Sequence, residues 1–256
     1  MTQHAYLEHG LTVLEARLKT SQQPGQIGRV IEARPFITLG HETGTGATTV
    51  GQLLVPLLDQ SFGEKDQGWV FLDKNLLAHA LARYNLPERL AEHLPEDKIS
   101  EIKAVIGEWV GLHPSLWELE HKVAEAILQL AHVGRVVIAG RAAGLITRSL
   151  SGGFHVKLVA SPEVRAQRMM KLLNCDAAVA AAYNRETDLA RRRYVKTRFG
   201  RDIDDAHLYD LVINTDRMSP AAAARLIVEA LHSRLADLQA GLGGETKTVS
   251  VPAGGI

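Results

Sequence analysis

The 256-residue sequence predicts a three-layer α/β/α domain on a five-stranded, mostly parallel sheet. Three observations carry that prediction. Short apolar runs alternate with longer stretches of helical spacing, the pattern of strand–helix–strand units. A glycine-containing segment stands between one apolar run and one helical run. The other polar motifs fall at the carboxyl ends of apolar runs, where ligands bind in open parallel sheets.

The strands are expected at Phe36–Leu39, Trp69–Leu72, Arg135–Ala139, His155–Val159 and Leu211–Ile213. Helical spacing is found at Thr48–Leu58, Asn75–Arg83, Leu116–His132, Pro162–Leu173, Ala177–Arg198 and Pro220–Leu238. Ahead of them, Leu7, Leu11, Leu14 and Leu18 recur at helical intervals and predict an amphipathic helix over 5–21. Its leucine stripe serves either as a homodimer contact or as a surface packed on its own domain. Ser21–Gly25 reads as a linker, and the Gly- and Thr-containing stretch from 241 to 256 as a mobile tail. The organisation is therefore a helix and linker (1–30), one α/β domain (31–240) and a tail (241–256).

Composition narrows the function. Lys plus Arg number 29 and Asp plus Glu number 29, a balance that argues against a general nucleic-acid binder. Cys175 is the single cysteine, so no internal disulfide forms, and a reducing cytoplasm is the expected setting. The N-terminal residues lack the basic-then-apolar order of a secretory signal. No apolar run reaches the roughly 20 residues of a membrane span. The 11 histidines are scattered without a His-Glu-x-x-His spacing, which predicts no structural metal. Trp69, Trp109 and Trp117 sit among apolar neighbours and read as core or pocket-wall residues.

The segment Glu42-Thr43-Gly44-Thr45-Gly46-Ala47-Thr48-Thr49 has the context of a phosphate-binding loop: strand before it, helix after it. Glycines there let backbone N–H groups approach phosphate oxygens, and the following helix adds its N-terminal dipole. Thr48 is placed to offer a hydroxyl to Mg²⁺. Two departures stand out. Ala47 occupies the position of the usual loop lysine, and His41 that of the first glycine.

Further along, Val136–Arg141 ends an apolar strand on Gly-Arg, with a guanidinium suited to bidentate phosphate binding. Ser161-Pro162-Glu163 is a strong helix start and introduces Arg165 and Arg168. The next helical run carries Arg185, Asp188, Arg191, Arg192, Arg193, Tyr194, Lys196 and Arg198. Such a helix is either a solvated charged face or a cationic segment that closes over an anionic ligand. Asn214-Thr215 ends the last strand, on the side expected for an adenine or ribose.

In order and spacing these motifs resemble those of the cytidylate-kinase-like family of P-loop nucleotide kinases, from about Pro35 to Leu235. The family's Glu-aromatic-Gly-Ser-Gly-Gly loop appears as Glu42–Ala47, and relatives likewise lack the loop lysine. Aromatic-Asp-Lys-x-Leu appears within Phe71–Leu76, Val-Ile-x-Gly-Arg as Val137–Arg141, and Tyr-Asp-Leu-x-Ile-Asn-Thr as Tyr209–Thr215. The resemblance implies a P-loop kinase fold with a helical lid at about 174–206, and ATP and Mg²⁺ as cofactors. It implies donor phosphates held by Glu42, Gly44, Thr45, Gly46, Ala47, Thr48 and Thr49, with Asn214 near the donor nucleoside. Asp73 and Arg141 would face the acceptor, and Arg141, Arg191, Arg192 and Lys74 would neutralise charge during transfer, with Arg193 in or beside the lid. True cytidylate kinases carry an acidic residue directly after Gly-Arg. Ala142 stands there instead, so the base-reading group for cytosine is missing.

The expected activity is transfer of the ATP γ-phosphoryl to a nucleotide or other small acceptor. Lys74, His41 or a lid arginine would supply the cation that Ala47 lacks. The alternative is a nucleotide-binding sensor or interaction protein that has lost catalysis.

Overall fold

The computed structural model describes residues 12–13, 34–63, 68–73, 117–140 and 142–241. Within them, five parallel strands form one sheet: β1 (Phe36–His41), β2 (Val70–Leu72), β3 (Val136–Ala139), β4 (Gly153–Val159) and β5 (Leu211–Asn214). Their spatial order is β2-β3-β1-β4-β5. β1 is central, with Ile37 opposite Val137 on one side and Phe154 on the other. The chain leaves β1 toward one edge, returns through β3, then continues on the far side with β4. The carboxyl end of β1 is thus the switch point at which such sheets open a crevice.

The helices are α1 (Ala47–Phe62), α2 (Trp117–Val133), α3 (Ala143–Ile146), α4 (Pro162–Leu173), α5 (Ala177–Phe199) and α6 (Pro220–Gln239), with a 3₁₀ turn at Ala206–Leu208. Strand alternation sorts the core into two layers. Phe36, Val70, Leu72, Val136 and Ile138 face α2 and α3. Ile37, Leu39, Phe71, Val137, Val156, Leu158 and Ile213 face α1 and α6. A buried aliphatic side chain such as Ile37 or Leu39, both fully enclosed, contributes about 1.5–3 kcal/mol. The three-layer architecture expected from the sequence is the one observed, and Trp69 is a core residue as expected.

Several boundaries differ. Gly134 and Arg135 both have positive φ (75° and 50°), so β3 begins after a tight turn and not at Arg135. β1 continues to His41, two residues beyond Leu39, because Gly40 and His41 pair with Lys157 and Leu158 of β4. β4 starts two residues before His155, at Gly153. α1 continues past Pro56 and Leu58 to Phe62, with Leu54 and Leu58 buried on either side of the proline. The amphipathic helix, the helix at Asn75–Arg83, Lys74, Arg141, Trp109, the side chain of Trp117 and the tail beyond Gly241 lie outside the described residues.

α4 and α5 pack on each other; the stretch expected as the lid, about 174–206, takes in α5 and not α4. Ser161 caps α4 by accepting from the Val164 N–H, and Asp176 caps α5 by accepting from the Val179 N–H. Asn174 in the left-handed conformation ends α4.

Candidate active site

At the switch point the chain turns from β1 into α1 through Glu42–Gly46. Gly44 and Gly46 have φ of +84° and +85°, conformations that cost a side chain-bearing residue and that only glycine adopts freely. α1 starts on Gly46 with no side-chain cap, so its first-turn N–H groups are left for an external acceptor. A Cβ built on Gly46 would meet nothing within 4 Å. A loop of this shape opening onto free space at a helix N-terminus is a nest for an anion. Thr48 and Thr49 are exposed on the first turn of α1, which suits the expected Mg²⁺ contact of the Thr48 hydroxyl. Ala47 is buried in the layer that packs α1 on the sheet.

The outer side of the loop is held by the α4–α5 pair. Arg165 donates to the Thr43 carbonyl (3.2 Å) and to Asp188 Oδ2. Asp188, only 6% exposed, uses its other oxygen to accept from the Thr43 N–H (2.9 Å) and the Thr43 hydroxyl (2.7 Å). Arg191, one turn along α5, donates to the His41 carbonyl (3.2 Å), Thr43 Oγ1 (3.0 Å) and Asp188 Oδ1 (3.3 Å). Burial lowers the Arg191 pKa from its ordinary value, and the Asp188 carboxylate opposes that effect. Arg168 donates to the Thr45 carbonyl (3.3 Å) and, at the limit of hydrogen-bonding distance, to the Gly44 carbonyl (3.5 Å). It also donates to Thr215 Oγ1 (2.9 Å) and the Thr215 carbonyl (2.6 Å). Thr215 Oγ1 in turn donates to the Thr45 carbonyl (3.1 Å). The α4–α5 pair is therefore docked on the loop.

A second anchor lies at the far end of α5. Lys157, on β4 and 5% exposed, donates to the Ile203 carbonyl (2.6 Å) and Asp204 (2.7 Å). Arg192 donates to the other Asp204 oxygen (2.7 Å), and Tyr209 donates to the Ile203 carbonyl (2.8 Å). Burial works against ionisation of Asp204, yet the hydrogen bonds from Lys157 and Arg192 hold its carboxyl below the usual carboxylate range. The same hydrogen bond to Asp204 raises the Arg192 pKa. Burial pushes the Tyr209 phenol up to about 12.

The expected site residues divide accordingly. Gly46, Thr48 and Thr49 lie on the open side of the loop, whereas Gly44 packs against the Arg165 backbone. Glu42 turns away from it: its carboxylate accepts from the Ala160 N–H (3.1 Å) and lies 3.7 Å from Arg165 Nε. Thr45 is enclosed, with its hydroxyl donating to the Glu42 carbonyl (2.9 Å). Of the three consecutive lid arginines, Arg191 reaches the loop, whereas Arg192 is committed to Asp204. Asp73 ends β2, two strands from β1 and so roughly 10 Å away across the sheet. Asn214 is exposed, and its side chain accepts from the Asp216 N–H (2.9 Å). For His41, burial, aided by the nearby Arg191 charge, lowers the pKa to about 4, which disfavours the cation that it was expected to offer. Its Nδ1 faces the Glu42 carbonyl (3.1 Å), and since a carbonyl only accepts, Nδ1 carries the proton.

Lys157 was not anticipated. Arg165, Arg168, Asp188 and Thr215 stood out in the sequence as a basic helical segment and a strand end, but their contacts with the loop did not, because helical spacing alone does not tell a solvated face from a docked one.

A model described as the cytidylate kinase-like family matches residues 36–217. A cytidylate kinase of Methanocaldococcus jannaschii is 23% identical over 200 residues, which covers 77% of this chain and 98% of that protein. A cytidylate kinase of Pyrococcus horikoshii is 31% identical over 120 residues, 47% of this chain and 60% of that protein. Among solved structures, that of an uncharacterized protein from Eubacterium ventriosum superposes with a TM-score of 0.51 at 18% identity, covering 78% of this chain and 99% of the other. That last likeness bears on the fold alone.

Proposed function

The chain belongs to the cytidylate kinase-like family, and from that premise we propose that it is an ATP-dependent phosphotransferase acting on a nucleotide or other small phosphoryl acceptor. The observation that carries the reading is the glycine loop. Two positive-φ glycines precede an uncapped helix N-terminus, and the second of them, Gly46, opens onto unfilled space, the arrangement that suits a phosphate.

Mg·ATP, when bound, supplies the phosphoryl group and the divalent cation. The chain's own part is positioning and charge neutralisation, the two effects on which phosphoryl transfer chiefly depends. The N–H groups of Gly44 and Gly46 and the first turn of α1 would hold donor phosphate oxygens, with the Thr48 hydroxyl available to the metal. Arg191 is held above the loop through one nitrogen, leaving its other donors for a ligand. Asp73 and, outside the described residues, Arg141 and Lys74 would serve the acceptor side. Ala142 in place of an acidic residue speaks against cytosine recognition of the cytidylate-kinase kind.

The second reading is a nucleotide-binding protein without turnover. It is favoured by one observation: Arg165, Arg168 and Arg191 are each already engaged with loop carbonyls, and Ala47 provides no replacement. The deciding experiment is phosphoryl transfer from Mg·ATP to a panel of nucleoside monophosphates and nucleosides. ADP formation that depends on one acceptor and is lost in Arg141→Ala supports the kinase and names its substrate. Tight ATP binding without transfer to any acceptor supports the second reading.

A further inference from the structure

Kinases of the standard pattern place a lysine inside the phosphate loop. Here the cations stand behind it, and their contacts follow the peptide groups of the loop. A trans peptide is planar, with its C=O and N–H on opposite sides. Arg165 takes the Thr43 carbonyl at 3.2 Å, so the N–H of the same peptide, that of Gly44, is directed away from the Arg165 guanidinium. Arg168 and Thr215 take the Thr45 carbonyl at 3.3 and 3.1 Å, so the Gly46 N–H is likewise directed away. Neither glycine N–H has a protein acceptor among the described residues. The peptide between them behaves differently: the Thr45 N–H closes a turn onto the Glu42 carbonyl at 3.4 Å.

A guanidinium on the carbonyl side polarises a peptide in the sense that makes its N–H a better donor. The charge also lies on the side of the loop opposite the ligand, so it raises the anion affinity of the nest without occupying it. Arg168 is itself fixed, since both of its terminal nitrogens bond Thr215 (2.9 and 2.6 Å).

We propose that Arg168, through the Thr45 carbonyl and with Thr215 as its anchor, is a positioning residue that orients and polarises the Gly46 N–H for the nucleotide phosphates. It offsets from behind the loop the lysine that Ala47 replaces. Arg165 does the same for Gly44, but its buried pairing with Asp188 makes it the poorer test. The inference rests on the reading of the loop as a nucleotide-phosphate site.

The test uses the full chain, labelled with ¹⁵N-glycine, and Mg·ATP as the probe. Calorimetry gives affinity, and the Gly44 and Gly46 amide resonances report the loop. Arg168→Gln is expected to weaken ATP binding about tenfold or more, the effect of losing a charge-assisted hydrogen bond. It should shift the Gly46 resonance more than that of Gly44. Added guanidinium ion should restore part of the affinity in Arg168→Ala and return the Gly46 resonance toward its wild-type position. Arg168→Lys should fall between, because an ammonium point charge cannot reproduce the fork geometry. A folded Arg168→Gln protein with wild-type ATP affinity, or with an unmoved Gly46 resonance, overturns the proposal and leaves the loop reading intact. A wild-type chain that binds no ATP overturns both. Should Arg168→Gln fail to fold, Arg168→Lys decides by the same two readouts.

Discussion

The two loop glycines offer a matched experiment, because their backbones are alike and their surroundings are not. Gly44 and Gly46 have φ of +84° and +85°. An alanine at either pays the left-handed penalty of about 1–2 kcal/mol. A Cβ on Gly46 meets nothing within 4 Å, whereas one on Gly44 lies 2.7 Å from the Arg165 carbonyl oxygen and 3.0 Å from its Cβ. That neighbour is helix backbone and cannot swing aside, and moving α4 would strain the Arg165–Asp188 pair. Overpacking of this kind adds about 1–3 kcal/mol. Gly44→Ala is therefore expected to lower stability by about 2–5 kcal/mol, and Gly46→Ala by about 1–2 kcal/mol. Urea denaturation of the two variants, with the slope checked for equality, measures the difference. Equal destabilisation by the two alanines would refute the packing of α4 on Gly44.

Three further expectations follow from the surrounding contacts. Asp188→Ala leaves the Arg165 guanidinium, 11% exposed, with only the Glu42 carboxylate 3.7 Å from its Nε; the expected loss is about 3 kcal/mol, the lower end for breaking a buried pair, read from the denaturation midpoint, and a loss under about 1 kcal/mol would place the pair among ordinary surface bridges. His41 has a folded pKa of about 4 against an ordinary 6.5, so the folded state resists its protonation. Its contribution is fully present above pH 6.5 and is lost as pH falls through about 4, amounting to at most about 3 kcal/mol. Denaturation of His41→Gln across that window should be correspondingly less pH-dependent than that of the parent. Asp204→Asn removes the only carboxylate bonded to Lys157 among the described residues. It should cost about 1–3 kcal/mol at neutral pH, with Lys157→Met partly reversing the loss in the double variant.

The parallel sheet was legible in the sequence because its signals are local. Short apolar runs such as Phe36–Leu39 and Val136–Ala139, alternating with helical stretches, imply strands covered by helices on both faces before any partner strand is known. The loop was legible for a related reason: a strand, two glycines and a helix start are contiguous, and glycine at positive φ is a requirement of the backbone itself. Misplaced edges came from pairing. Gly40 and His41 read as loop residues until β4 runs alongside them, and Arg135 reads as strand until its φ is seen.

By itself, then, the sequence determined the parallel α/β architecture, the glycine loop at the end of β1, the basic helical run after Ala177 and the family to which these belong. Tertiary structure decided what the cations do. Arg165, Arg168 and Asp188 reach Thr43, Gly44 and Thr45 across separations of 122 to 145 residues, and no local periodicity encodes a contact of that range. The same sequence of charges on α5 is compatible with a solvated face or with a clamp. The structure brings Arg191 to the loop while Arg185, Arg192, Arg193 and Lys196 stay exposed; the docking holds because a carboxylate as enclosed as Asp188 is tolerated only where donors such as the Thr43 N–H and two guanidinium groups meet it.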